Sequence, residues 1–185
     1  ADRDALVAYI NAQPRVSELE RVAFLTRFHS HEVVDLATEL SRPIYKTGFT
    51  PCSNYLYKMR SSSNALLAHM GVRFVVATKD RTDSVYEEMA RFGRYRLYRL
   101  TTFKANPLVV KGTGEAKLIR FDDEEIVVEA GEGASGYVRL PVSWFPRWSA
   151  TRNGEEVPLE PWAHPAEKTR SGFISAPLAP GLTTF

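Results

Sequence analysis

The sequence predicts an α+β protein in which an N-terminal α/β portion, residues 1–103, packs on a C-terminal antiparallel β-sandwich of the jelly-roll kind, residues 104–185. In the first portion, apolar residues at helical spacing alternate with short apolar runs. In the second, helical spacing stops, and short strand candidates recur about every ten residues between Gly, Pro, Asp and Asn. No flexible linker separates the portions, so we expect them to share an interface.

The first elements follow from the spacing of apolar residues. Residues 2–13 place Leu6, Val7 and Ile10 on one helical face, and a proline follows. A strand is predicted over 21–28, and helical spacing returns over 31–40. Residues 45–51 have the Gly, Thr and Pro content of a loop.

A helix, a strand and a further helix are predicted next. Asn64 is a suitable cap for a short helix that ends at Gly71 in the left-handed conformation. The run 72–77 is apolar throughout most of its length and is expected to be a strand buried on both faces. Thr82 or Asp83 is expected to cap a helix that continues to Phe92, and residues 95–100 to form an edge strand.

The second portion is predicted as strands only. Residues 137–159 combine a strand, an aromatic bend and a hairpin around Asn153-Gly154, which suits a type I′ turn. This hairpin would pair 148–151 with 155–159. The last ten residues resemble a turn and the start of another strand, so we expect the chain to be a fragment. The strands are predicted at 107–110, 115–121, 125–130, 136–142, 148–151, 155–159 and 172–176.

The composition excludes several classes of protein. The chain has 185 residues, a net charge of +2 and no basic tract interleaved with aromatic residues, so nucleic acid is not an expected partner. Cys52 is the single cysteine, which rules out an internal disulfide and a cysteine metal site. That favours the cytoplasm without excluding the periplasm. No apolar run approaches the ~18 residues that span a bilayer.

Several segments occur in a fixed order: MGVRFVVA at 70–77, GEAKLIRFDDEEIVVEA at 114–130, a bend at 144–148, a hairpin at 153–158 and a turn at 176–181. This order, over roughly 45–185, resembles the C-terminal extracytoplasmic region of YfhO-like polytopic bacterial membrane proteins. Those proteins are related in architecture to GT-C-type membrane glycosyltransferases that use lipid-linked sugar donors. Arg147 stands where that family has a small residue in the bend.

The resemblance implies a non-catalytic domain on the extracytoplasmic, periplasmic face of the bacterial cytoplasmic membrane. Its partners would be transmembrane helices upstream in the same polypeptide, which would also carry any catalytic acids. The domain would bind a cell-envelope glycan or position an acceptor. The alternatives are a structural or protein-interaction domain without a ligand and, less favoured, a free-standing hydrolase. Fold and family do not fix function by themselves.

Aromatic residues are the candidates for a glycan site because sugar C–H faces stack on aromatic rings. Packing of Trp144 and Trp148 in the core is the favoured alternative, since large aromatics are usually buried. Trp162, in a proline-rich loop, is the tryptophan most expected to face a ligand. The predicted carbohydrate-binding residues are Trp162, Arg147, Trp148, Trp144, Tyr137 and Asn153.

Other residues suggest chemistry less strongly. His29 and His31 have the spacing of two metal ligands on a strand but lack an evident third, so no metal or other cofactor is predicted. The acidic run 122–125 is interpreted as a solvated hairpin turn rather than a catalytic pair. The glycines at 112 and 114 match neither phosphate-binding motif. No catalytic residue is predicted.

Overall fold

The computed structural model describes residues 1–25, 35–36, 38–46, 63–122, 125–144, 146–163 and 172–185. These residues are rich in β-structure and contain few helices, and they form three sheets. The described residues up to Ala105 form one compact unit, and those from Asn106 onward form a second. Each unit has its own hydrophobic cluster, and each is described separately.

The first unit is built on a mixed five-stranded sheet of order β2-β1-β3-β5-β4. Strand β1 pairs in parallel with β2 and β3, whereas β5 pairs antiparallel with β3 and β4. The elements are α1 (Asp2–Ala12), β1 (Arg21–Phe24), β2 (Ile44–Lys46), α2 (Asn64–His69), β3 (Val72–Ala77), β4 (Tyr86–Phe92) and β5 (Tyr95–Leu100).

One part of the core of this unit lies where α1 covers the sheet. Leu6 and Ile10 of α1 are fully buried and belong to the same cluster as Phe24 of β1 and Phe74 of β3. Helix α1 and strand β3 were predicted from apolar spacing, and both are found with their apolar residues inside. Residues 35–36 and 38–39 are helical, and Leu36 among them is buried. The remainder of the helix predicted over 31–40 lies largely outside the described residues.

The helix predicted from Thr82 or Asp83 to Phe92 is wrong, because residues 86–92 form strand β4. Gly93, at a φ of +54°, makes a tight turn after which β5 pairs back on β4. Pairing along the whole strand outweighs the weak helical spacing of Val85 and Met89. The same hairpin places β5 between β3 and β4, so β5 is not the edge strand that was predicted.

Two smaller predictions in the first unit also need correction. Tyr45 and Lys46 belong to strand β2 rather than to a loop, because residues 44–46 pair with β1. The cap of α2 is Ser63, whose side chain accepts a hydrogen bond from the backbone N–H of Leu66 at 3.3 Å. Gly71 does adopt the left-handed conformation after this helix, at a φ of +69°.

The second unit contains two antiparallel sheets, of order β11-β10-β14-β8-β7 and β12-β13-β9-β6. Both sheets contribute to one hydrophobic cluster, through Ile126 and Val128 of β8 and through Val138 and Leu140 of β9. That is the arrangement of a β-sandwich. The strands are β6 (Val109–Thr113), β7 (Ala116–Phe121), β8 (Ile126–Ala130), β9 (Ser135–Ser143), β10 (Thr151–Arg152), β11 (Glu155–Glu156), β12 (Glu160–Trp162), β13 (Phe173–Leu178) and β14 (Gly181–Thr184).

The predicted Asn-Gly hairpin is present between β10 and β11. Asn153 and Gly154 have φ values of 54° and 81°, as a type I′ turn requires. Thr151 lies opposite Glu156. The strands are shorter than predicted, because regular pairing extends only from residue 151 and β12 then joins the other sheet.

Candidate functional site

The four-stranded sheet of the second unit has a second face, opposite the hydrophobic cluster. Side chains alternate along a strand, so the buried Val138 and Leu140 place Arg139 and Tyr137 on that second face. Directly opposed residues on neighbouring strands share a face, which brings Ser175 beside Arg139. We call this set of side chains the Arg139 face: Tyr137, Arg139, Trp162, Phe173 and Ser175.

Aromatic rings surround the guanidinium of Arg139. Its central carbon lies 4.4 Å from the ring centroid of Phe173 and 5.9 Å from that of Trp162, both within the range of a cation–π interaction. Phe173 is fully buried, and Arg139 is only 5% exposed. Trp162 is half-buried on β12, the edge strand that pairs with β13. The site therefore combines a buried cation with a partly accessible indole.

The guanidinium of Arg139 lacks hydrogen-bond acceptors. Its Nε and Nη2 atoms are shielded from water and have no hydrogen-bond partner among the described residues. Burial of the guanidinium lowers the pKa of Arg139, because removal from water disfavours the charged form. Buried polar atoms nearly always have a partner in folded proteins. Among the described residues, Arg139 is the side chain with two such atoms, whereas Arg81 and Arg96 have one each.

The surrounding residues add polarity at the margin of the Arg139 face. Tyr137 is 42% exposed and lies opposite the exposed Lys111 of β6. The hydroxyl of Ser175 donates to the backbone carbonyl of Glu160 at 3.0 Å, so that proton is already engaged. Two cationic side chains, Lys111 and Arg139, therefore occupy neighbouring positions on this face.

The structure distributes the predicted carbohydrate-binding residues over several places. Trp162 and Tyr137 lie on the same sheet face but at different positions, Trp162 opposite Phe173 and Tyr137 opposite Pro177 of β13. Trp144 and Trp148 are partly buried and pack against the hydrophobic cluster of the second unit. Arg147 is exposed after the bend, and Asn153 is exposed in the β10–β11 turn.

Arg139 and Phe173 were not among the predicted site residues. An arginine between Val138 and Leu140 in a strand suggests a solvent-facing position, and its burial depends on partners from other strands. One local signal was present in the sequence. The residues two positions before and after it, Tyr137 and Pro141, are apolar or aromatic, which indicates that this face is not an ordinary solvated one.

The other candidate groups have different surroundings. Asp122 and Glu125 both form ion pairs with Arg120, at 2.6 and 2.7 Å, at the end of the β7–β8 hairpin. Asp122 also accepts a hydrogen bond from the backbone N–H of Glu125 at 2.7 Å, as in a structured turn. His29, His31, Cys52, Asp123, Glu124, Phe145 and His164 lie outside the described residues. Within the described ranges, no three acidic, histidine or cysteine side chains form a metal-binding cluster.

A cavity of about 340 Å³ lies beside strands β7 and β8, on the five-stranded sheet of the second unit and away from the predicted residues. Three glutamates and one lysine make it polar, and no buried group points to a ligand there. Its lining residues are Glu115, Lys117, Glu129, Ala130, Gly131 and Glu132.

No helix in the described part of the chain has the length and apolarity to cross a membrane. No protein-family model, curated protein or solved structure matches the chain.

Proposed function

We propose that this chain is a non-catalytic glycan-binding domain on the extracytoplasmic face of a bacterial membrane protein of the glycosyltransferase-like kind. One observation carries the proposal: the half-buried indole of Trp162 lies on an edge strand, on the same sheet face as the exposed Tyr137. Partly exposed aromatic rings on a rigid sheet offer flat apolar surfaces to the C–H faces of a pyranose ring.

Polar residues elsewhere on the same sheet face suit the hydroxyl groups of a sugar. Lys111 and Tyr137 lie opposite one another at the margin, and each has hydrogen-bonding capacity. The pair of acids at Asp122 and Glu125 is held by Arg120 in a turn, which supports a binding role rather than glycoside hydrolysis. The same proposal includes three further points: transmembrane helices upstream in the same polypeptide, a jelly-roll-like topology of the second portion, and packing between the two portions.

Titration with cell-envelope saccharides, followed by tryptophan fluorescence and calorimetry, tests the proposal. We expect saturable binding of at least one saccharide, with a change in fluorescence. Trp162→Ala is expected to weaken that binding about 10-fold or more, because loss of an aromatic stacking surface removes about 1 kcal/mol or more. Ile119→Ala is the matched control, since Ile119 is an apolar residue, 45% exposed, on the other sheet. It should bind like the unaltered protein.

A structural or protein-interaction domain without a ligand is the second candidate. The packing of Trp144 and Trp148 against the hydrophobic cluster favours it, since these tryptophans contribute to stability. It predicts no saturable response to any saccharide. That outcome, or equal binding by Trp162→Ala and the unaltered protein, would overturn the glycan proposal.

A further inference from the structure

We propose that the Arg139 face binds an acidic glycan, and that Arg139 holds the carboxylate of a hexuronic acid while Trp162 stacks on the sugar ring. The inference rests on the proposed function and names the chemical class of the ligand. It is carried by the two shielded nitrogen atoms of Arg139 that lack acceptors, and by the indole beside them.

The two atoms without acceptors are adjacent in the guanidinium. In arginine, the N–H of Nε and one N–H of Nη2 project from the same edge of the planar group. That edge forms two parallel hydrogen bonds with the two oxygens of a carboxylate, the bidentate geometry that arginine favours. In Arg139 this whole edge lacks partners among the described residues. The geometry of this edge therefore matches a carboxylate.

A second buried arginine of the same chain provides an internal comparison. Arg42 is buried and lies over the Phe74 ring at 5.4 Å, as Arg139 lies over Phe173. Its Nε donates to Glu20 at 2.6 Å, and its other nitrogens donate to the carbonyls of residues 10 and 13. The donors of Arg42 are thus satisfied, whereas Nε and Nη2 of Arg139 have no partner among the described residues.

Charge balance favours a ligand with one negative charge. A buried cation without a counter-ion is unfavourable by several kcal/mol, and a single carboxylate neutralises one guanidinium. Glu160 of β12 is the acidic residue of this four-stranded sheet. Its side chain is exposed, and Ser175 of β13 lies between it and Arg139. Lys111 adds a positive charge near the margin. The face is therefore electrostatically complementary to an anion.

Access to the guanidinium edge requires a side-chain movement, since both nitrogens are shielded from water. Trp162 is partly exposed, lies on an edge strand and is 5.9 Å from the guanidinium carbon. Binding of a sugar at this edge would therefore require the indole to move while it stacks on the sugar ring. Binding is therefore expected to change tryptophan fluorescence.

The test compares D-glucuronate, D-glucose, acetate and inorganic phosphate as probes of the full chain, by calorimetry and fluorescence. We expect D-glucuronate to bind more tightly than the other three. Arg139→Met should weaken D-glucuronate about 10- to 100-fold, as expected when hydrogen bonds to a charged group are lost. Arg139→Lys keeps the positive charge but not the two parallel N–H donors. Its affinity for D-glucuronate should therefore fall between those of the unaltered protein and of Arg139→Met. Lys117→Met, at an exposed lysine on the other sheet, is the control and should bind normally.

Each other outcome contradicts a particular part of the proposal. Equal binding of D-glucose and D-glucuronate that Arg139→Met leaves unchanged would overturn the acidic-glycan inference and leave the glycan-binding function standing. Acetate binding as tightly as D-glucuronate would retain Arg139 as a carboxylate site but contradict sugar recognition. Tighter binding of phosphate would overturn the carboxylate assignment. Absence of binding by all probes and by the wider saccharide panel would overturn both proposals.

Folding of the variants is checked by urea unfolding. Arg139→Met is expected to unfold at the same or a higher urea concentration, because an apolar side chain replaces a buried unpaired charge. If Arg139 had only a structural role, Arg139→Met would alter stability while the preference for D-glucuronate over D-glucose stayed the same. That result would contradict the inference.

Discussion

Glu20 joins two arginines in the interior of the first unit. Its carboxylate accepts from Nε of Arg42 at 2.6 Å and from Nη1 of Arg73 at 3.0 Å. The side chains of Glu20 and Arg42 are each only 1% exposed. Both arginines also lie over the ring of Phe74, at 5.4 and 4.8 Å. These contacts therefore connect Glu20 and Arg42, which are far from each other in sequence, to Arg73 and Phe74 of strand β3.

Replacement of Glu20 is expected to leave two buried or partly buried cations without their carboxylate. Glu20→Gln should lower the free energy of unfolding by about 3–5 kcal/mol, the usual effect of removing one partner of a buried ion pair. Urea unfolding measures it. Glu88→Gln is the matched control, because Glu88 pairs with Arg91 at the surface, where solvent screens the interaction and stability should change little. Equal effects of the two substitutions would contradict a stabilising role for the buried network.

At the scale of elements, glycines determine where strands turn and how closely they approach. Gly112 and Gly136 lie opposite each other on β6 and β9 with φ values of 146° and 103°. A Cβ atom on Gly112 would lie 2.0 Å from the backbone oxygen of Ser135, so no side chain fits there. Gly154 differs, because a Cβ atom there would meet nothing within 4 Å. Its requirement for glycine comes from φ alone.

That difference allows backbone strain to be measured without a steric clash. Gly154→Ala should lower the free energy of unfolding by about 1–2 kcal/mol, since an L-residue is unfavourable in the left-handed region. Gly131→Ala is the matched control, because its added Cβ also meets nothing and its φ lies outside the left-handed range. It should be neutral or stabilising by up to about 1 kcal/mol. A neutral Gly154→Ala would contradict the type I′ assignment.

Patterns of neighbouring residues predicted some secondary-structure elements and missed others. The turn at Asn153-Gly154 was predictable because its φ requirement depends on two adjacent residues. Strand β4 was not, because residues 86–92 acquire their conformation by pairing with β5. Strand β12 was missed for a related reason: it contains Pro161 and forms only by pairing with β13. An edge strand tolerates a proline that would be excluded from the middle of a sheet.

At the scale of the whole molecule, the described residues include one hydrophobic cluster in the first unit and another in the second. Leu97 is fully buried in the cluster of the first unit, and Leu140 is fully buried in that of the second. The two clusters share no residue. We therefore expect a substitution in either cluster to lower stability mainly in the unit that contains it.

Leu97→Ala and Leu140→Ala should each lower the free energy of unfolding by about 2–5 kcal/mol, the usual effect of leaving a cavity in a hydrophobic core. Residue-resolved hydrogen exchange is expected to show lost protection in β3 and β5 for the first variant and in β8, β9 and β13 for the second. Leu182→Ala, at a leucine that is 53% exposed, is the control and should change little. Equal loss of protection in both units from either single substitution would contradict separate cores.

The sequence by itself determined the features that depend on neighbouring residues or on a simple repeat: the amphipathic helix α1, the apolar strand β3, the Asn-Gly turn and the change to β-structure in the second half. That Trp162 faces a ligand stays a prediction. Only the tertiary structure decided that Arg139 is buried between two rings, because those rings lie on β12 and β13, more than 20 residues further along the chain. Burial and hydrogen-bond satisfaction depend on contacts between distant segments, which no local pattern records.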